Sequence, residues 1–159
     1  MKIRIGFGED IHRLVSGRKL FLCGIPVPFD LGLLGHSDGD VALHALSDAL
    51  LGAAALGDIG KYFPPSDPST EGISSALIVK KCLSLVESKG YKVGNVDINI
   101  VTEEPHLQPF IGKMRESVAM MLGVDIDSVS VKAMTNEGLD AVGKETAIRA
   151  TASLTLIGE

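Results

Sequence analysis

The chain of 159 residues has no tryptophan, and only two tyrosines and five phenylalanines. Its core must therefore be aliphatic, filled by Ala, Val, Ile and Leu. Cysteine is nearly absent: Cys23 and Cys82 lie far apart and form no CxxC pair. That excludes a disulfide framework and leaves two reduced, buried thiols, as in a cytoplasmic protein. No basic run occurs, and 20 acidic against 15 basic side chains give a formal charge of −5. Nucleic acid is therefore not an expected partner. A phosphate-bearing small molecule would need local donors or metal ions. No apolar run approaches membrane-spanning length, so no membrane partner is expected. The opening MKIRIGFGED alternates polar and apolar residues and does not read as a signal peptide. Without repeats, low-complexity tracts or linkers, residues 1–159 read as one domain.

Glycine, by contrast, is frequent, with 18 residues. The backbone can therefore turn tightly, or approach a ligand closely, at many points. Residues 2–12 read as a strand with Ile3, Ile5 and Phe7 on one face. Lys2, Arg4, Asp10 and His12 share the other parity, with Gly6 and Gly8 between them. A second extended region, 19–29, is broken by Pro26 and Pro28 and suits an edge.

The stretch HSDGDVALHALSDALLG, residues 36–52, predicts the first helix, with Ser37 and Asp40 as a capping box and an end near Gly57. Residues 58–73 form a Pro-rich loop of the length that often carries function. Ser74 caps a second helix that stops at Gly90, and Pro109 opens a third that ends before Gly123. Strands are expected over 94–102, around Val129 to Ala133, and from Ile148 to Leu156. The last alternates Ile148, Ala150, Ala152, Leu154 and Leu156 with Arg149, Thr151, Ser153 and Thr155. Its small polar face suits a neighbouring subunit or a solvated channel. Mixed strands and helices indicate an α/β or α+β sandwich, one sheet with helices covering a face.

The first predicted helix is almost wholly apolar, yet Asp40, His44 and Asp48 recur every four residues and form one polar stripe. Unpaired buried charge is expensive, so the stripe needs a partner. Asp10 and His12, two apart on a strand, leave the same side of it. Two strand ligands and one helix ligand can converge on one ion. Asp, His and His suit zinc, and three protein ligands leave the fourth position open for substrate. Spacing alone leaves a second reading: His44 is a core imidazole bonded to Asp40 or Asp48. Likewise Ser37 and the helix start either cradle an anion or simply cap. Thr135, Asn136 and Glu137 follow a strand directly; they either end it in a turn or present a hydroxyl and a carboxylate to a site.

Four blocks decide among these readings by resemblance. GEDIH, GLLGHSDGDVALHALSDALLGAAALGDIGKYFP, GNVDINIVTEEPHLQP and VSVKAMTNEGL occur in an order that resembles the 2-C-methyl-D-erythritol 2,4-cyclodiphosphate synthase family over nearly the whole chain. The resemblance implies a ferredoxin-like α/β sandwich whose mixed sheet faces the axis of a homotrimer, with active sites between subunits. It implies a lyase of the non-mevalonate isoprenoid pathway. Zinc would bind Asp10, His12 and His44, and Glu137 would help hold a second ion, magnesium or manganese. His36 and Thr135 would stabilise the transition state. Ser37, Asp48, Asp58, Ile59 and Gly60 would bind the methylerythritol portion, with Phe63, Pro64, Pro65, Ser66 and Asp67 extending that wall. Thr102, Glu103, Glu104, Pro105, His106, Leu107 and Gln108, with Ala133, Met134 and Asn136, would serve the cytidine side. The chain departs from common family residues in having His106 for Lys, Met134 for Thr and Pro65 for an acid. It also has Ala141 for Phe and Lys144 for Arg; Lys144 keeps the capacity to contact phosphate in an axial cavity. A trimeric isoprenoid-diphosphate binding module and a metal-dependent phosphohydrolase are the alternative activities.

Overall fold

A computed structural model describes all residues, 1–159. The long strand β1 (Lys2–Val15) leads into the short strands β2 (Leu20–Leu22), β3 (Ile25–Val27) and β4 (Gly32–Leu33). Helix α1 (Val41–Ala53), the single turn α2 (Ile59–Tyr62) and helix α3 (Ser75–Ser88) follow. Then come β5 (Tyr91–Val101), α4 (Ile111–Leu122), β6 (Val129–Met134), α5 (Asp140–Gly143) and β7 (Ala147–Gly158). The main sheet has the order β4-β1-β7-β5-β6. Only β5 and β6 run parallel, so the sheet is mixed. Helices α1, α3 and α4 pack on one face, giving the expected α+β sandwich. No helix is long and apolar enough to cross a membrane.

The face of β1 that meets the helices is not its hydrophobic one. Ile3, Ile5 and Phe7 are 65%, 78% and 60% exposed on the helix-free side. Gly6 and Gly8 are buried against α1 instead. A Cβ on Gly6 would lie 1.9 Å from the Ala49 carbonyl oxygen, and one on Gly8 1.9 Å from that of Ala45. Missing side chains therefore let a helix backbone rest directly on a strand backbone. Across the sheet, Ile148, Ala150, Ala152, Leu154 and Leu156 of β7 supply the aliphatic floor. Helix α1 lies between this floor and α3, so all of it is buried except Asp48 and Gly52. A helix apolar on every side belongs in such a position.

Helix α1 starts later than its sequence suggests. The expected capping box at Ser37 does not form; Asp40 is the N-cap and accepts from the Leu43 N–H. The reason is tertiary. Residues 36–39 are loop, with Gly39 in the left-handed region at φ +79°. The fully buried Asp40 carboxylate also accepts from the N–H groups of Cys23 and Gly24, 3.1 and 2.7 Å away. These two residues form the β2–β3 hairpin turn, both with positive φ, as such two-residue turns require. One carboxylate thus starts α1 and pins the hairpin to it. The helix ends at Ala53 rather than near Gly57, and α2 forms inside the expected Pro-rich loop. Ser74 caps α3, and Gly123 closes α4 in the left-handed region, both as expected.

Two predictions follow from these contacts. Gly8→Ala should destabilise the fold by about 3 kcal/mol or more, because backbone cannot yield as a side chain does. Denaturant unfolding checks it; a change below about 1 kcal/mol contradicts it. Burial pushes the Asp40 carboxyl up to about 6, against the opposing bonds from Gly24, Leu43 and Cys23. A raised acid binds its proton more tightly folded than unfolded, so its contribution falls as pH rises between the two values. The stability of the unaltered chain minus that of Asp40→Asn should therefore fall by about 3 kcal/mol between roughly pH 4 and pH 6, then level off. A pH-independent difference contradicts this.

Candidate active site

Beyond the second glycine of β1, the same strand face carries Asp10 and His12. One turn into α1, where the helix touches β1, His44 points back at them. Asp10 Oδ2 lies 2.6 Å from His12 Nε2 and 3.1 Å from His44 Nδ1. The two nitrogens are 3.1 Å apart. No other three histidine, cysteine or acidic groups converge this way in the chain.

The outer atoms of the three residues are all occupied. Asp10 Oδ1 accepts from the Ile11 N–H at 2.9 Å. His12 Nδ1 donates to the Leu34 carbonyl at 2.6 Å. His44 Nε2 meets Ser37 Oγ at 2.9 Å and Ser75 Oγ at 3.0 Å. One carboxylate oxygen and two imidazole nitrogens therefore face each other with no further protein partner. This donor set fits a divalent cation, with zinc the best chemical match. Burial works to raise the Asp10 carboxyl, but its close contacts with the His12 and His44 rings outweigh it and hold it well below the usual carboxylate range. Burial works to lower His12, but its bonds to Asp10 and the Leu34 carbonyl raise it above the ordinary imidazole value.

These groups open onto a cleft of about 320 Å³. His36, Ser37, Ile59, Gly60, Phe63 and Pro65 line it with the triad, so both expected wall segments border the same space. His36 Nε2 donates to the Asp67 carbonyl at 3.0 Å, tying the 36–39 loop to the Pro-rich loop. Asp58 caps α2 and Asp48 accepts from the Ile59 N–H at 2.8 Å. Asp48 thus faces the DIG segment rather than the cleft lining. Asp40, the first residue of the expected polar stripe, points away into the hairpin turn. Pro64 and Ser66 lie in the loop without lining the cleft.

A second cleft of about 140 Å³ lies where β5 and β6 end. Thr102, Glu103, Pro105, His106, Leu107 and Gln108 line it opposite Ala133, Met134 and Thr135. Glu104 stays at its rim, its carbonyl accepting from Thr102 Oγ1. The Glu103 carboxylate accepts from the N–H groups of Asn136 and Gly138, at 2.9 and 3.2 Å, and so folds the turn bearing Glu137. Glu137 itself is exposed, at φ +54°. The two clefts share no residue, so one chain does not bring Thr135 or Glu137 to the Asp10–His12–His44 triad. Lys144 is exposed just after α5.

Several contributors carried no sequence signal. Leu34 acts through its carbonyl, which any residue has. Arg18 donates to the carbonyls of Gly35 and Ser37, at 3.2 and 2.6 Å, and fixes the loop over the cleft. Ser75 follows the capping serine of α3 and reads as part of the cap. Thr70 and Ile73 complete the cleft wall.

The role of Asp48 is open to direct test. Asp48→Ala should leave the Ile59 N–H without its acceptor and lose about 1 kcal/mol of local stability. Hydrogen exchange should show a faster Ile59 amide; unchanged protection there would contradict the assignment.

The chain's similarity to known proteins agrees with this geometry. Residues 3–157 match the YgbB family. The chain is 56% identical, over 142 residues, to the 2-C-methyl-D-erythritol 2,4-cyclodiphosphate synthase of Chloroherpeton thalassium, covering 89% of this chain and 90% of that one. It is 52% identical over 155 residues to the enzyme of the same name from Moorella thermoacetica, covering 98% and 95%. Among solved structures, a CDP-bound form of 2C-methyl-D-erythritol-2,4-cyclodiphosphate synthase superposes with a TM-score of 0.90 at 40% identity, over 97% of this chain and all of that one. The bifunctional IspDF of Campylobacter jejuni matches with a TM-score of 0.95 at 35% identity, this chain covering 43% of its length. The chain belongs to the YgbB family, whose curated members named here are 2-C-methyl-D-erythritol 2,4-cyclodiphosphate synthases.

Proposed function

We propose that the chain cyclises 4-diphosphocytidyl-2-C-methyl-D-erythritol 2-phosphate to 2-C-methyl-D-erythritol 2,4-cyclodiphosphate, releasing CMP. It is a cytoplasmic, metal-dependent phosphorus–oxygen lyase of the non-mevalonate isoprenoid pathway. The observation that carries the reading is the convergence of Asp10 Oδ2, His12 Nε2 and His44 Nδ1 on one cleft, with every outer atom already engaged. These three would hold zinc, and Glu137 would help hold magnesium or manganese. Bound there, the cations would supply positive charge to phosphate oxygens whose mutual repulsion otherwise keeps nucleophile and electrophile apart.

The substrate brings its own nucleophile. An oxygen of its 2-phosphate attacks the β-phosphorus, and the bond between that phosphorus and the oxygen bridging to CMP breaks. No side chain needs to form a covalent bond, so the protein's work is positioning and charge stabilisation. Ile59, Gly60 and Phe63 line the cleft where the methylerythritol chain would sit. Asp58 caps the turn that carries Ile59 and Gly60, and Asp48 holds the segment's backbone in place. His36 and Thr135 offer hydrogen bonds for phosphate oxygens. The β5–β6 cleft, with backbone groups of 102–108, Ala133 and Met134, would take the cytidine portion.

A complete site requires both clefts, and they are separate within one chain. We therefore place the active site between subunits of a homotrimer whose sheets face a common axis. One feature of the open sheet face supports this. Ile3, Ile5, Phe7 and Ile11 form an exposed apolar row, which an isolated monomer would rarely carry.

Phosphorus NMR of the chain with zinc, magnesium and the diphosphocytidyl substrate tests the reading. The expected result is a cyclic diphosphate with equimolar CMP, falling more than about 100-fold in His44→Ala. Inorganic phosphate would mark a hydrolase instead, and ligand binding without turnover a binding module.

A further inference from the structure

We propose that Ser75 and Asp38 are positioning residues that fix which nitrogen of His44 faces the cleft. The inference rests on the reading of Asp10, His12 and His44 as a metal site. It follows from counting protons. As a carboxylate, Asp38 offers only acceptors. Its Oδ2 accepts from the Ser75 N–H at 3.0 Å, and its Oδ1 from the Asp40 N–H at 3.1 Å. Oδ1 also accepts from the Ser75 hydroxyl, in a very short bond. The single hydroxyl proton of Ser75 is therefore directed at Asp38. Ser75 Oγ has only lone pairs left to present to His44 Nε2, 3.0 Å away. A proton on Nε2 satisfies that contact, and Nδ1 then keeps the lone pair that faces Asp10 and His12.

Ser37 fits the same choice. Its Oγ accepts from the Gly39 N–H at 3.1 Å, and Ser75 Oγ, 3.3 Å away, is an acceptor for its own proton, which leaves a lone pair for the same Nε2 at 2.9 Å. Ser75 is fully buried, and Ser37 and His44 nearly so, which keeps these bonds largely out of bulk water. Without the Asp38–Ser75 pair, a serine hydroxyl could donate to Nε2 and leave the proton on Nδ1, where it would block a ligand bond. Metal-bound imidazoles are commonly oriented through their other nitrogen by a carboxylate, and here a serine carries that influence across. The first residue of α3 thereby becomes part of the site's support.

Zinc affinity of the metal-stripped chain, measured by competition with a chromophoric chelator, tests the proposal. Ser75→Ala should weaken zinc binding roughly 10- to 100-fold. Ser75→Thr keeps the hydroxyl and should recover most of it. Ser47→Ala removes another buried hydroxyl of α1, one bonded to the Leu43 carbonyl, and should leave zinc affinity unchanged. Asp38→Asn leaves one acceptor oxygen and an NH2 group to meet the three donors that Asp38 serves, and should weaken binding as well, which covers the case of Ser75→Ala failing to fold. Unaltered affinity in Ser75→Ala, or in Asp38→Asn when only that variant folds, overturns the inference and leaves the metal reading standing. An unaltered chain that takes up no zinc overturns both.

Discussion

The contact between the backbones of α1 and β1 is the constraint on which the site depends. Gly6 and Gly8 supply it by having nothing to place between strand and helix. The helix comes down until its carbonyls at Ala45 and Ala49 touch the strand. His44, next to Ala45, then stands within hydrogen-bond distance of Asp10, two residues beyond Gly8. A conventional strand, with side chains facing the helix, would hold the elements farther apart. Two of the three ligands would then be out of reach of the third. Strand parity, helix register and the ligand triad therefore form one arrangement.

The same closeness explains why so many polar groups tolerate burial. Each has its donors and acceptors matched: Asp40 by three backbone N–H groups, His12 by the Leu34 carbonyl, His44 by two serines. Buried networks satisfied in this way hold side chains rigidly, whereas incomplete ones are destabilising. The inner atoms of the triad are the exception, since they have only one another. Ligand atoms that no group outside the triad engages are thus gathered at one point of one cleft.

Much of this was legible in the sequence. Asp10 and His12 had to share a face because strands alternate, and His44 had to lie on a helix because its neighbours are Ala, Leu and Val. The caps of α3 and α4 followed from Ser74 and Gly123, whose signals are local. Tertiary effects were harder to read. Asp40 was indistinguishable from a site residue until the Cys23–Gly24 turn was seen folding onto it. Hydropathy grouped Ile3, Ile5 and Phe7 on one face of β1 without saying which face turns inward; close packing of α1 selects Gly6 and Gly8. Ser75 and Leu34 act through generic atoms at long sequence separation, so no pattern marks them. The substrate-contact residues came from family resemblance, because spacing alone assigns no ligand to a turn or a Pro-rich loop.

The most direct measurement is zinc anomalous diffraction from a crystal of the unaltered chain. The expected result is one peak per chain, about 2.0–2.2 Å from Asp10 Oδ2, His12 Nε2 and His44 Nδ1 together. A peak bonded to His44 through Nε2, or a fully zinc-exposed crystal with no peak between these three atoms, would contradict a site set by the approach of α1 to β1.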